Sequence, residues 1–210
     1  MGFLKRRALE GSRVPRVQLT FSAPVLLTLC LLSGALLFSA KFSHEAMSLL
    51  PLSYYRWDRL TANHLRLLSW PLAHTGFPHF FHNYKMILLL GAPVEGHFGS
   101  RIMAWLCFLT SVVCALFHWC MTTNKALMGA SGILYMLIGL HTVSGAGGVE
   151  IVGKGVKVPV TFVLVCVMFL AEEVWLGGTR DDQVSHLTHV VGGVVGVVWG
   201  YRWNNKKKRA

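Results

Sequence analysis

The sequence predicts an all-α fold: a polytopic membrane protein built as a bundle of six transmembrane helices, with an interfacial first outer loop. Three observations predict it. Only 14% of the 210 residues are charged and 53% are hydrophobic, whereas a soluble domain carries about 25% charged residues. The apolar residues gather into stretches of about 20, the length that crosses the hydrocarbon core of a bilayer. The excess of basic residues, +11 in net charge, sits mostly at the chain ends. There it orients a membrane chain and gives little reason to expect a nucleic-acid partner.

Taken in order, residues 1–16 form a basic cytoplasmic N-terminus carrying Lys5, Arg6, Arg7, Arg13 and Arg16. The membrane domain covers 17–203. Its first span, about 18–40, follows the basic region but lacks a small-residue A-x-A exit, so it reads as a retained helix and not a cleaved signal. Residues 41–78 form the longest connection and hold Tyr54, Tyr55, Arg56, Trp57, Arg59, Arg66 and Trp70. Aromatic rings and basic heads settle at the membrane–water interface, so this loop is expected to be structured and partly embedded. Further spans follow at about 79–98, 101–121, 129–147, 157–177 and 185–203. The last segment, 204–210, reads as an unstructured basic cytoplasmic tail with Lys206, Lys207, Lys208 and Arg209.

An even number of spans puts both basic ends on one side. Thirteen Lys and Arg residues then fall inside and six outside, with Lys85 alone within a span. That bias orients both termini toward the cytoplasm. A bacterial inner membrane fits the short chain and its basic ends. Cys30, Cys107, Cys114, Cys120 and Cys166 all lie in apolar stretches without CxxC or zinc-ligand spacing, which reads as buried free thiols.

Chemistry enters with Ser131, in the run Met128-Gly-Ala-Ser-Gly-Ile-Leu-Tyr135 at the outer start of the fourth span. Gly129 and Gly132 permit a tight turn and close helix approach, and such runs also serve simply as packing surfaces. A helix N-terminus adds exposed N–H groups and a positive dipole end, which stabilise an oxyanion. His189 lies at similar depth, at the outer start of the last span. It shares one helix face with Gly192, Gly196 and Gly200. A glycine stripe lets another helix come close, and a histidine within reach is what a serine needs to become a nucleophile. Alone, this histidine reads equally well as a packing residue or a proton-relay member. His79 and Asn83, spaced i, i+4, share a face at the outer start of the second span. Both donate hydrogen bonds, as an oxyanion site requires, and both could equally be polar glue between helices. Asp181 and Asp182 read as solvated loop charges, and Glu172 and Glu173 as the end of the fifth span. A Ser/His dyad is therefore favoured over a triad.

In order, spacing and span, these motifs resemble the rhomboid family of intramembrane serine proteases, from Arg66 through Gly200. The resemblance rests on His79-x-x-x-Asn83, Gly91-x-x-x-Glu95-x-x-x-Gly99, Gly129-x-Ser131-Gly132 with Tyr135, and His189-x-x-Gly192-x-x-x-Gly196. It implies Ser131 as nucleophile and His189 as general base. It implies an oxyanion site of His79, Asn83 and the Ser131 N–H, with Tyr135 packed on the His189 ring. Glu95 would join a structural hydrogen-bond network, and His74 matches a recurrent outer histidine. A Trp-Arg pair is frequent in the first outer loop of the family, and here Leu65 precedes Arg66. His186 is a rival base without the glycine register.

The expected activity is serine endopeptidase cleavage of transmembrane protein substrates within the lipid bilayer. No metal, small-molecule cofactor or nucleic acid is expected. The alternative is a catalytically inactive rhomboid-like protein that binds transmembrane clients. A histidine-rich metal or haem protein is a third reading. Against it, His74, His79, His82, His118, His141, His186 and His189 are scattered and HExxH is absent.

Overall fold

The computed structural model describes residues 22–40, 66–121, 127–144, 150–152, 155–157, 160, 163–164, 167–168, 171 and 186–207. Five helices run through them: α1 (Pro24–Ser39), α2 (Phe77–Phe98), α3 (Ser100–Met121), α4 (Ser131–Ser144) and α5 (His186–Lys207). A helical turn over 66–69 continues into the 3-10 turn Trp70–Leu72 ahead of α2. The C-terminal part of the 41–78 connection is therefore structured, and its earlier part lies outside the described residues.

Local chemistry sets the helix ends. Pro24 opens α1 with its fixed φ. The next two backbone N–H groups, of Val25 and Leu26, donate to the Glu95 carboxylate at 2.9 and 3.1 Å. A carboxylate from α2 thus caps α1, satisfying orphan donors and meeting the positive end of the helix dipole. Gly99, at φ 83°, turns α2 into α3, and its N–H closes on the Glu95 carbonyl at 2.8 Å. A second polar latch joins α1 to α2. The Tyr84 hydroxyl donates to the Leu29 carbonyl at 3.1 Å and accepts from Ser33 at 2.7 Å.

The core lies where α1, α2, α3 and α4 meet, around Leu26, Ile87, Met103, Leu106, Leu134 and Leu137. The most extensive packing is between α4 and α5. Glycines carry it. A Cβ on Gly192 would strike the Gly132 carbonyl oxygen, one on Gly196 the Met136 carbonyl oxygen, and one on Gly139 the Gly193 carbonyl oxygen. Backbone meets backbone along this seam, which fixes the depth of Ser131 against His189.

Among the described residues one helix, α3, is long and apolar enough to cross a membrane by length and composition, and α1 and α4 are shorter apolar helices. α2 and α5 have comparable length, but histidines, Lys85 and Glu95 interrupt the first and a basic end closes the second. Helix length therefore does not establish six crossings. Of the fifth predicted span, 157–177, six described positions are helical. Five of them, Val160, Val163, Leu164, Val167 and Met168, are exposed apolar residues at helical spacing.

Two expectations are corrected. The connection after α4 contains an antiparallel hairpin, β1 (Glu150–Val152) with β2 (Gly155–Lys157), in the register Glu150↔Lys157, Ile151↔Val156 and Val152↔Gly155. The fold is mostly helical, in line with the expected all-α class, but residue 157 belongs to a strand where the fifth span was expected to start. β-Branched Ile151, Val152 and Val156 favour the extended conformation. The segment after 203, expected to be unstructured, is helical as far as Lys207, where α5 ends. The Asn204 side-chain amide donates to the Val143 carbonyl near the end of α4, so helix pairing continues into the basic segment. Lys85, left open by the sequence, is exposed on α2, with its ammonium 5.9 Å from the Phe81 ring centroid.

Candidate active site

Ser131 is the first residue of α4. It follows Gly129, whose φ of 104° lies in the left-handed region that glycine adopts without strain. The turn delivers the serine side chain toward α5, where the Ser131 Oγ lies 2.7 Å from His189 Nε2. His189 is buried at 4% exposure while Ser131 is only partly covered, so the hydroxyl is reachable and the imidazole is enclosed. The His189 ring stacks on Tyr135, one turn into α4, with centroids 4.6 Å apart and planes 5° apart.

His79 and Asn83 reach the same turn from α2. A Cβ on Gly129 would lie 2.6 Å from His79 Nε2 and 3.5 Å from Asn83 Nδ2, so both atoms press against the backbone two residues before Ser131. The Asn83 side chain is buried, and its Nδ2 has no hydrogen-bond partner among the described residues. A buried amide donor left unmatched costs about 1–3 kcal/mol. Its position beside the serine turn suits an oxygen that arrives with a substrate. His79 Nδ1 lies 3.2 Å from the Thr75 hydroxyl. With that hydroxyl donating, the ring proton sits on Nε2, facing Gly129.

The turn is also held from the segment that precedes α2. Gly129 N–H donates to the Trp70 carbonyl at 3.1 Å. Ala130 N–H donates to His74 Nε2 at 3.3 Å, and His74 Nδ1 lies 3.2 Å from the Leu72 carbonyl. A carbonyl only accepts, so Nδ1 carries the ring proton and Nε2 is free to accept. Burial, with His79 beside it, holds the His74 ring well below the usual histidine range, down to about 4, against the smaller opposing effect of Leu72. Neutral His74 is thus the form that the backbone of the turn requires.

The structure brings Ser131, His189, Tyr135, His79, Asn83, Gly129, Gly132, Gly192 and His74 together. Gly196 supports them from one helical turn further along α5. Glu95 sits at the other end of α2 as the cap of α1, and Arg66 begins the turn that leads to Trp70, without a hydrogen bond from its Nε among the described residues. The side chain of His186, and all of Glu172, Glu173, Asp181 and Asp182, lie outside the described residues. Trp70 and Thr75 were missed as site residues. Trp70 reads as one more interfacial aromatic, and a carbonyl acceptor has no sequence signature. The four-residue spacing from Thr75 to His79 was the one available hint.

A helical bundle thus holds a serine and a histidine in hydrogen-bond contact near the starts of two adjoining helices. Residues 61–205 match the Rhomboid domain. The chain is similar to Rhomboid-related protein 1 of Caenorhabditis elegans, at 32% identity over 65% of this chain and 39% of that protein. It is similar to Rhomboid-related protein 2 of Mus musculus, at 29% identity over 72% of this chain and 51% of that protein. The match thus spans about half or less of the length of these relatives. The chain belongs to the rhomboid family, whose members are integral to membranes. Worm and mouse relatives give the expected bacterial inner membrane no support.

Proposed function

We propose that this protein is an intramembrane serine endopeptidase that cleaves transmembrane segments of other proteins. The observation that carries the reading is the 2.7 Å contact between Ser131 Oγ and His189 Nε2. The proposal includes a six-span membrane domain with cytoplasmic N- and C-terminal ends, and a site that lies shallow beneath the outer face. A polar site at that depth is tolerated where it lines a water-filled cavity within the protein.

The chemistry runs through these residues. A substrate helix unwinds locally and presents its scissile carbonyl. The Ser131 oxygen attacks the carbonyl carbon while His189 Nε2 takes the hydroxyl proton. The carbonyl oxygen becomes an oxyanion beside His79 Nε2–H, the Asn83 amide and the Ser131 N–H. The C–N bond then breaks and His189 returns the proton to the leaving amine. Water, deprotonated by His189, attacks the acyl carbon, the ester C–O bond breaks, and His189 returns the proton to the Ser131 oxygen. Tyr135 keeps the imidazole aligned throughout.

The test uses purified protein in lipid vesicles with a transmembrane substrate, together with a fluorophosphonate probe. Wild type should cleave and should be labelled at Ser131, and Ser131→Ala should do neither. Equal cleavage by Ser131→Ala would overturn the mechanism. Binding of the substrate without cleavage or labelling by wild type would favour a client-holding protein.

A further inference from the structure

We infer that Trp70 is the positioning residue of the Ser131 turn, a role that rests on the peptidase reading above. Trp70 is buried at 1% exposure and holds three parts of the site at once. Its indole Nε1–H donates to the Ser111 carbonyl on α3 at 3.1 Å. Its own carbonyl accepts the Gly129 N–H at 3.1 Å. Its ring lies on the residue after the serine, since a Cβ on Gly132 would come within 3.0 Å of the ring Cη2. Ser131 therefore sits between two glycines that both bear on Trp70, one through its backbone and one through its ring.

The other side of the loop turn is poorly filled. Leu68, Pro71 and Leu72 border a cavity of about 240 Å³ that extends to Val25 on α1 and Cys107 on α3. Packing on that side is incomplete, because atoms that face a gap lose dispersion contacts. Trp70 itself is well packed, because its indole joins Leu67, Cys114, Ala115, Leu127 and Val191 in one apolar cluster. Loss of the indole N–H lets the Trp70 carbonyl shift toward the cavity and draws Gly129 with it. A misplacement of about 1 Å costs about 100-fold in rate, so a fraction of that shift lowers turnover without weakening substrate binding.

The test compares wild type, Trp70→Phe, and a protein with benzothienylalanine at position 70, a tryptophan isostere that lacks the N–H. All are full-length chains in lipid vesicles. Turnover of a transmembrane substrate is measured together with hydrogen exchange of residues 127–132. Both variants should lose about tenfold in kcat with KM within twofold of wild type, and both should exchange faster over 127–132 and not elsewhere. A kcat within twofold of wild type overturns the role, as does unchanged exchange over 127–132. Faster exchange throughout the bundle overturns it in favour of general stabilisation. Wild-type behaviour of the benzothienyl protein beside a defective Trp70→Phe overturns the part assigned to the indole N–H. If wild type neither cleaves nor labels, the peptidase reading fails, and local exchange over 127–132 still decides whether Trp70 holds this turn.

Discussion

The imidazole of His189 lies flat on the phenol ring of Tyr135, with planes 5° apart and centroids 4.6 Å apart. An aromatic stack of this kind adds about 0.5–1.5 kcal/mol beyond the area it buries, and it restricts ring rotation. With the ring held flat, Nε2 points at the Ser131 hydroxyl. Tyr135 does by stacking what a third polar residue does by hydrogen bonding in a triad. Tyr135→Phe keeps the stack and should retain kcat within about threefold. Tyr135→Ala frees the ring and should lower kcat by about 100-fold. Steady-state kinetics of the two variants separates stacking from any need for the phenol hydroxyl, and equal losses in both would sink the idea.

Adjacent glycines on α5 should behave oppositely. A Cβ on Gly192 runs into the Gly132 carbonyl oxygen, whereas one on Gly193 meets the Tyr135 carbonyl oxygen at an ordinary 3.8 Å. Gly192→Ala must push α5 from α4, and overpacking of this kind costs about 1–3 kcal/mol. It should also part Ser131 from His189, so labelling by fluorophosphonate should fall with stability. Gly193→Ala gains helix propensity worth up to about 1 kcal/mol and should be neutral or stabilising. Thermal unfolding of both variants in the same detergent gives the comparison.

What the sequence made legible follows from periodicity. His189, Gly192 and Gly196 fall on one face because an α-helix repeats every 3.6 residues. The same logic pairs His79 with Asn83, and the structure sets His189, Gly192, His79 and Asn83 around the Ser131 turn. Helix register says nothing about backbone acceptors, so the Trp70 carbonyl on Gly129 and the Leu72 carbonyl on His74 were invisible. The hairpin over Glu150–Lys157 was missed because its glycines and lysines read as a plain connection between two spans, and strands of three residues are too short to show a period of two. The extension of α5 to Lys207 was missed because its lysines suggest a solvated tail, and the Asn204 contact to Val143 is tertiary.

Glu95 should matter for stability rather than turnover. Its carboxylate takes two N–H groups at the start of α1 from a position 1% exposed to solvent. Glu95→Gln leaves one acceptor and places an amide donor against another donor. Hydrogen bonds to charged groups contribute about 1.5–3 kcal/mol each, so a loss of about 2–3 kcal/mol is expected for Gln and more for Ala. The amides of α1 should lose protection in hydrogen exchange before those of α4. A Glu95→Gln protein as stable as wild type would show that the cap contributes nothing.

His74 makes the stability of the site depend on pH. Its ring accepts the Ala130 N–H only while neutral, and burial with His79 nearby keeps it neutral down to about 4 from an ordinary 6.5. Between those values the unfolded chain binds the proton and the folded chain does not. Stability therefore rises with pH through this window. The contribution of His74 is complete above about pH 6.5, is lost progressively as the pH falls toward 4, and changes no further below that. His74→Gln offers an amide oxygen to Ala130 and an amide N–H to Leu72 without titrating. At pH 7.5 the variant should lie within about 1 kcal/mol of wild type. Between pH 6.5 and 4 its stability should fall less steeply, by an amount on the order of 2 kcal/mol because the ring is partly exposed. The two proteins differ at this one side chain, so the difference between their unfolding curves reports on His74. A difference that stays flat from pH 7.5 to 4 would mean that the proton on His74 has no bearing on the Ser131 turn.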